Sequence, residues 1–253
     1  MSTFVLVHGA WQTASTWDLV TPRLRAAGHR VAIPLLSGLE NDANPLTPAI
    51  SLQSHIDDVL GFLDQENLQD VRLVGHSYAG MIITGVAEQA LRRLNRLIYV
   101  DAFVPSDGQS ALSLFPEAAV ERLRQQAESV GDGWRLPGVE GRLDLWGLKP
   151  GTARDFVRER MSDFSLRCFE EAVTLPKNAA ARLHRTYIAC VADDYPARPI
   201  FQPFADRAKR EGWSYHELPT GHDCNVEMPD AFVSILLMNE SQIGPVSGSV
   251  APT

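Results

Sequence analysis

The sequence has little cysteine, no basic runs and no long apolar stretches, and each shortage argues against a class of protein. Its three cysteines are an odd number without paired spacing, which argues against a disulfide framework and fits a reducing compartment. The seven histidines are scattered, and no His or Cys pair has the spacing of a metal site. No apolar run approaches the length of a membrane span. The formal charge of -8, without a basic run to neutralise phosphates, argues against nucleic-acid binding.

The composition is otherwise that of an ordinary globular protein. Hydrophobic residues make up 45% of the chain and charged residues 21%. A length of 253 residues suits one domain, or one domain with an inserted subdomain, and can bury a large core. The chain opens on the apolar run Phe4-Val5-Leu6-Val7 instead of a basic segment with a cleavage site. We expect a cytoplasmic protein that uses no metal or other cofactor, binds neither nucleic acid nor membrane, and is a monomer or homodimer.

Short apolar runs alternate with helical patterns over residues 1–105 and again over 177–240. The runs are continuous, as expected of strands that are buried on both faces. Strands are predicted at 3–7, 29–33, 71–74, 97–100, 185–191 and 213–218. Helices are predicted at 17–27, 51–66, 79–91, 200–210 and 229–238. This alternation predicts one parallel sheet covered by helices on both faces.

The alternation stops between residues 106 and 176. This segment carries amphipathic helical patterns at 117–130, 152–161 and 166–173, and no convincing strand. We expect it to cap the carboxyl ends of the strands, where such folds bind ligands, although its helices could instead cover a sheet face. Residues 1–105 and 177–240 would then form the core. The Gly-, Ser- and Pro-rich residues 241–253 are expected to be a mobile tail.

One stretch carries the strongest chemical signal, Val74-Gly75-His76-Ser77-Tyr78-Ala79-Gly80. It has the pattern G-x-S-x-G, with an apolar run before it and a helical pattern after it. A strand, a sharp turn and a helix in this order predict a nucleophile elbow. The glycines are explained by a turn that leaves no room for side chains. Such an elbow would lift the Ser77 hydroxyl clear of the sheet and point a helix N-terminus at the reaction centre.

A serine hydroxyl needs a base within hydrogen-bond reach, and the base needs an acid that holds its tautomer. Where an elbow carries the serine, the acid and the histidine follow it along the chain, each on a loop after a strand. His222, a few residues past the last predicted strand, is the expected base. Asp193, just past the preceding strand, is the expected acid. Asp194 and Asp101, which also follow strands, stay open as alternatives.

The negatively charged oxygen that forms during acyl transfer needs two preorganised donors. We expect one from the backbone N–H of Tyr78 and one from the N–H of Ala10, on a loop that Gly9 allows to come close. Trp11 and Phe103 are expected to line the substrate pocket, because their loops emerge at the catalytic edge. Further candidates, each of which could equally belong to the core, are Tyr78, Leu114, Phe115, Trp134 and Trp146.

Several runs in the predicted core carry a resemblance to a known family. They are FVLVHGA at 4–10, GHSYAG at 75–80, DAFVP at 101–105 and YIACVAD at 187–193, with His222 followed by Pro229. Together they resemble the plant methylesterase and hydroxynitrile lyase branch of the α/β-hydrolases, whereas residues 106–176 resemble it weakly. The resemblance implies the α/β-hydrolase fold, a mostly parallel, doubly wound sheet with a helical cap inserted after the strand that ends near Asp101.

By motif position, the resemblance implies a catalytic triad of Ser77, Asp193 and His222. It implies that Ala10 and Tyr78 are the oxyanion donors, and that an apolar pocket under the cap accepts small or aromatic esters. The expected reaction is the hydrolysis of a carboxylic ester. The serine attacks the acyl carbon, the histidine moves the proton, and water releases the acid from an acyl-enzyme.

The same branch contains esterases and cyanohydrin-cleaving lyases. The best-known lyases of this branch resemble one another in having Thr after the first-loop His and Lys after the catalytic His. This chain has Gly9 and Asp223 at these two positions. Without that lysine, no cation is in place to stabilise departing cyanide. Lyase-like cleavage and a weakly catalytic small-ligand receptor remain alternatives to the esterase, and lactone, thioester and amide cleavage stay open. Asp223 could raise the basicity of His222 or face solvent.

Overall fold

In the computed structural model of the protein, the described residues are 1–39 and 45–238. The segment predicted to be a mobile tail, 241–253, lies outside them. In chain order the strands are β1 (Thr3–Val7), β2 (Arg30–Ala32), β3 (Val71–His76), β4 (Leu94–Val100), β5 (Arg135–Leu136), β6 (Phe164–Ser165), β7 (His184–Cys190) and β8 (Ser214–Leu218). The α-helices are α1 (Thr21–Ala26), α2 (Leu52–Gln65), α3 (Ala79–Ala90), α4 (Ala111–Leu114), α5 (Glu117–Val130), α6 (Gly141–Leu145), α7 (Thr152–Arg158), α8 (Arg167–Glu170), α9 (Arg198–Arg210), α10 (Cys224–Glu227) and α11 (Pro229–Met238). Within the two described ranges, every helix is too short or too polar to cross a bilayer.

Within the described residues, six strands form one parallel sheet in the order β2-β1-β3-β4-β7-β8. The predicted parallel α/β sheet is confirmed. Residues Phe4 to Val7 of β1 are fully buried, which is why this run is apolar throughout. The chain passes from β1 to β2 on one side and then returns to form β3 on the other side. The carboxyl ends of β1 and β3 therefore flank a switch point, where sheets of this kind bind ligands.

Helix α3 packs against β3, β4 and α2. Helix α2 buries an apolar face that includes Ile56, Val59 and Leu63. Gly85 of α3 faces Ile56, and a side chain at this glycine would collide with the isoleucine. The two helices can therefore approach closely, and α3 is fixed firmly behind the strand that leads into it.

The helix predicted at 17–27 is shorter than its pattern indicates. A 3-10 turn spans Ala14–Trp17, and α1 begins only at Thr21 with Pro22 in its first turn. Proline has no N–H to donate, so it fits the start of a helix and not its interior. Gly28 follows the helix with a φ of 86°, in agreement with its predicted capping position.

Residues 106–176, called the insertion from here on, connect β4 to β7 and contain α4 to α8. The expectation that this segment has no strand is wrong. Strands β5 and β6 form an antiparallel ladder that pairs Arg135 with Ser165 and Leu136 with Phe164. Strands of two residues are too short to produce a periodic pattern, so only their tertiary contact reveals them. Helices α7 and α8 are also shorter than their patterns predicted.

We expect Gly80→Ala to destabilise the fold strongly. In the first turn of α3, a methyl group at Gly80 would overlap the carbonyl oxygen of Phe103. Either the helix or the loop after β4 must move, and the free energy of unfolding should fall by about 3 kcal/mol. Gly61 lies inside α2 with open space around it, so Gly61→Ala should raise stability by about 0.5–1 kcal/mol. Urea unfolding measures both variants, and a Gly80→Ala protein as stable as the wild type would contradict the argument.

Candidate active site

Ser77 occupies a tight turn between β3 and α3. Its φ of 57° lies in the left-handed region, which residues other than glycine rarely adopt. The N–H of Ser77 donates to the carbonyl of Val100 over 3.0 Å. The Ser77 carbonyl accepts from the N–H groups of Gly80 (3.1 Å) and Phe103 (3.2 Å). These bonds tie the turn to β4 and to the loop after it, so the strained conformation is held by its surroundings.

The glycines near Ser77 are required by close approach. A Cβ atom on Gly75 would lie 2.8 Å from the carbonyl oxygen of Ala79, inside normal contact distance. A Cβ atom on Gly9 would lie 2.9 Å from the Cβ atom of Ser77. The loop after β1 therefore lies directly against the serine. Ala10, the next residue on that loop, lines the same cavity as Ser77.

His222 lies in the loop after β8 and is only 2% exposed. Its N–H donates to the carbonyl of Trp146 over 2.8 Å, and its carbonyl accepts from Nε2 of His76 at 2.9 Å. Its ring stacks on Phe201 with the ring centroids 4.8 Å apart. The two hydrogen bonds thus hold the backbone of His222, the stacking holds its ring, and the ring lines the same cavity as Ser77.

The carboxylate beside His222 belongs to Asp101, not to Asp193. Oδ2 of Asp101 lies 2.7 Å from Nδ1 of His222. Asp193 is exposed, and Asp194 pairs with Lys149 at the surface. The reason is the direction of two turns. Asp101 follows β4 with a φ of 41° in the interior, whereas the chain after β7 carries residues 193 and 194 outward.

Two further groups hold the carboxylate of Asp101. The hydroxyl of Tyr195 donates to Oδ2 over 2.7 Å, and the N–H of Cys190 donates to Oδ1 over 3.4 Å. The Tyr195 oxygen also lies 2.9 Å from Nδ1 of His222. Tyr195 therefore touches both members of the buried pair.

Burial sets the protonation of these groups. It lowers the pKa of His222 and raises the pKa of Asp101, and the hydrogen bonds from Tyr195 and Cys190 oppose the rise. A neutral His222 that donates Nδ1–H to Asp101 leaves Nε2 able to accept a proton. Burial also lowers the pKa of His76 to about 3, so His76 is neutral and donates Nε2–H to the His222 carbonyl.

Asp223, directly after His222, is fully buried. The alternative in which it faces solvent is wrong. Its Oδ1 accepts a hydrogen bond from Nε2 of Gln12, and burial raises its pKa to about 7. Asp223 thus connects the loop after β8 to the loop after β1. In the two described ranges, no group of three or more His, Cys, Asp or Glu residues is arranged to hold a metal ion.

A largely apolar cavity of about 260 Å³ is lined by Ser77 and His222. Both pocket residues named from the sequence, Trp11 and Phe103, line it. The further candidates that also line it are Tyr78, Phe115 and Trp146. Leu114 and Trp134 are not among the lining residues, and both are half-buried elsewhere in the insertion.

Among the residues that sequence reasoning missed at this site, Tyr195 and Arg142 matter most for its chemistry. The sequence offered one signal for Tyr195, its place shortly after β7, but that place drew attention only to the neighbouring aspartates. Arg142 lies in α6, lines the cavity and is buried. An arginine in an amphipathic helix ordinarily faces solvent, so the sequence carried no signal for its burial.

Comparison with known proteins agrees with this architecture. The chain is 36% identical over 238 residues to a carbendazim hydrolyzing esterase of a Nocardioides species. The matched region covers 91% of this chain and 96% of that protein. It is 27% identical over 165 residues to Methylesterase 2 of Arabidopsis thaliana, covering 64% of this chain and 60% of that protein. The structure of an extracellular α/β-hydrolase from a Paenibacillus species superimposes with a TM-score of 0.81 at 23% identity, covering 94% of this chain and 98% of that one. The sequence profile of the alpha/beta hydrolase family matches residues 4–235, and the chain belongs to that family.

Proposed function

We propose that this ester hydrolase cleaves small carboxylic esters with apolar or aromatic parts, through an acyl-enzyme intermediate on Ser77. The observation that carries the proposal is the 2.7 Å contact between Nδ1 of His222 and Oδ2 of Asp101, in the wall of a cavity that Ser77 also lines. The names of the Nocardioides esterase and the Arabidopsis methylesterase support ester hydrolysis as the reaction.

In the proposed mechanism, Oγ of Ser77 attacks the acyl carbon while Nε2 of His222 takes the hydroxyl proton. His222 then gives this proton to the departing alcohol, and the acyl group stays on Ser77. His222 deprotonates a water molecule that attacks the acyl carbon, and it returns that proton to Oγ of Ser77 as the bond to the serine breaks and the acid is released. The backbone N–H groups of Ala10 and Tyr78 stabilise the oxyanion, and one such donor is worth about 3 kcal/mol of barrier.

Asp101 is the proposed third member of the triad. By accepting Nδ1–H it keeps His222 in the tautomer whose Nε2 can act as a base, and it stabilises the imidazolium that forms. Tyr195 is proposed as a positioning residue, because its hydroxyl touches the carboxylate and the imidazole but lies behind the ring, away from the reacting atoms.

The insertion is proposed to act as a cap over the site. Leu123 of α5, with Arg142 and Leu145 of α6, lines the cavity together with residues from the carboxyl edge of the sheet. The division into a core of 1–105 and 177–240 and a cap of 106–176 is part of this proposal. The cytoplasmic location and the monomeric or homodimeric state stay predictions from the sequence.

Two residues disfavour cleavage of the hydroxynitrile lyase type. Asp223 is a buried acid beside His222, where a departing cyanide would need a cation. Gly9 lies so close to Ser77 that a threonine in its place would press on the Cβ atom of the serine. Both residues therefore favour ester hydrolysis.

We expect Ser77→Ala to abolish the burst of 4-nitrophenol from 4-nitrophenyl acetate, because no acyl-enzyme can form. The steady-state rate should fall by a factor of about 10⁴ or more. Stopped-flow absorbance measures both quantities. Ser234→Ala, which removes an exposed hydroxyl on α11, should keep the burst. A wild-type protein that binds the ester without turning it over would instead favour the small-ligand receptor.

We expect Asp101→Asn to lower kcat by a factor of about 10⁴, because an amide at this position favours the wrong tautomer of His222. Asp193→Asn is the matched control, since this exposed residue should leave kcat unchanged. Steady-state kinetics on both variants, with thermal unfolding to check that each is folded, decides between the two aspartates. Loss of activity in Asp193→Asn alone would reverse the assignment.

We expect Tyr195→Phe to lower kcat/KM by about tenfold, since a hydrogen bond to a charged group is lost. The hydroxyl opposes the rise in the pKa of Asp101 that burial causes, so its removal raises that pKa further. The acid limb of the kcat/KM profile should therefore move to higher pH. Tyr215→Phe, which removes a hydroxyl bonded to the exposed Glu217, should leave the profile in place. An unshifted acid limb in Tyr195→Phe would reduce Tyr195 to a packing residue.

A further inference from the structure

The cavity wall holds a buried arginine that the proposed mechanism does not use. Arg142 of α6 is 8% exposed and lines the same cavity as Ser77 and His222. Its guanidinium carbon lies 3.4 Å from the ring centre of Trp11. Trp11 directly follows Ala10, so a positive charge is held beside the loop that is proposed to bind the oxyanion.

The hydrogen-bond partners of Arg142 are uncharged. Its Nε donates to the carbonyl of Pro137 over 3.2 Å, and its Nη2 donates to Oε1 of Gln126. Within the part of the chain that the structure describes, no carboxylate lies at ion-pair distance from this guanidinium, and no group accepts from Nη1. Arg154 of the neighbouring α7, by contrast, pairs with Glu140 at 2.8 Å.

The acid that could neutralise Arg142 is already engaged. Asp163 is the carboxylate whose charge acts on it, but Asp163 bonds to Arg135 and to the N–H of Gly138. Burial lowers the pKa of Arg142 to about 9, which leaves it protonated at neutral pH. A buried, unpaired charge is unfavourable, and stacking on an aromatic ring compensates for it only in part. An anionic ligand would complete the compensation.

The cavity is positive although the chain carries a formal charge of -8. Its described lining residues include Arg122 at the exposed rim and Arg142 in the wall, and none is Asp or Glu. The side chain of Gln126 also lines the cavity, and its amide NH₂ group is a further donor. The other walls are largely apolar and aromatic. The cavity thus suits a ligand with an apolar body and one anionic group.

We propose that Arg142 determines substrate specificity by pairing with a carboxylate on the substrate, so that the preferred substrates are carboxylate-bearing esters such as half-esters of dicarboxylic acids. This inference rests on the proposed ester hydrolysis at Ser77. A carboxylate matches one guanidinium in geometry and charge. A phosphate dianion would bring a second negative charge, and among the described lining residues Arg142 is the one buried cation. The carboxylate can belong to the acyl part or to the alcohol part, and the experiment separates the two.

The test compares carboxylate esters with neutral esters of nearly the same shape. On the acyl side, the pair is the mono-4-nitrophenyl ester of adipic acid and 4-nitrophenyl 6-oxoheptanoate. On the alcohol side, the pair is 4-carboxyphenyl acetate and 4-acetylphenyl acetate. In one pair, Arg142→Gln is expected to lower the ratio of kcat/KM for the carboxylate ester to that for the neutral ester by roughly ten- to a hundredfold, chiefly through KM. The pair that responds identifies the part of the substrate that carries the carboxylate.

Arg160→Gln is the matched control. Its guanidinium carbon lies 3.5 Å from the ring centre of Phe156, a similar stacking, but Arg160 does not line the cavity. The ratio should be unchanged in this variant, and Arg142→Lys, which keeps the charge, should retain part of the preference.

A wild-type protein that cleaves the neutral esters and discriminates against the carboxylate esters would overturn the specificity proposal alone. So would an Arg142→Gln protein that loses activity on both members of each pair equally. A wild-type protein that cleaves neither kind of ester would overturn the proposed function itself.

Discussion

The buried contact between His222 and Asp101 is the interaction on which the rest of the site depends. A carboxylate and an imidazole are costly to remove from water, and the pair is tolerated because other groups satisfy it. Tyr195 and Cys190 donate to the carboxylate, while His76 donates to the backbone carbonyl of the histidine. The same burial keeps the imidazole neutral, which is the state that a general base requires.

The parallel sheet makes that contact possible. Strands β1, β3, β4, β7 and β8 all end at one edge, so the loops that follow them meet there although they are far apart in the chain. Close packing at this edge depends on residues without side chains. Gly9 lets the first loop touch Ser77, and Gly80 lets the start of α3 touch the loop after β4. The serine is therefore held in a left-handed turn that an isolated peptide would rarely adopt.

The insertion adds an enclosing wall and a positive charge to the sheet edge. Its helices α5 and α6 bring apolar side chains and the unpaired guanidinium of Arg142 to the cavity. The sheet edge supplies the buried acids Asp101 and Asp223, whereas the described residues of the cavity lining include no Asp or Glu. The carboxylate of Asp101 thus lies behind the imidazole, and the guanidinium of Arg142 lies in the cavity wall. This separation is the physical basis for both the proposed base and the proposed preference for a carboxylate.

Local patterns in the sequence determined the sheet, the main helices, the turn at Ser77 and the position of His222 after a strand. These features depend on periodicity, on glycine spacing and on order along the chain, all of which are local. Only the tertiary structure decided that Asp101 rather than Asp193 contacts the histidine, because both aspartates follow strands and the direction of each turn depends on its packing. The two-residue strands β5 and β6, the place of Tyr195 and the burial of Arg142 likewise depend on contacts between distant segments. The sequence does not encode such contacts in any local pattern, since a residue's neighbours in space are chosen by the whole fold.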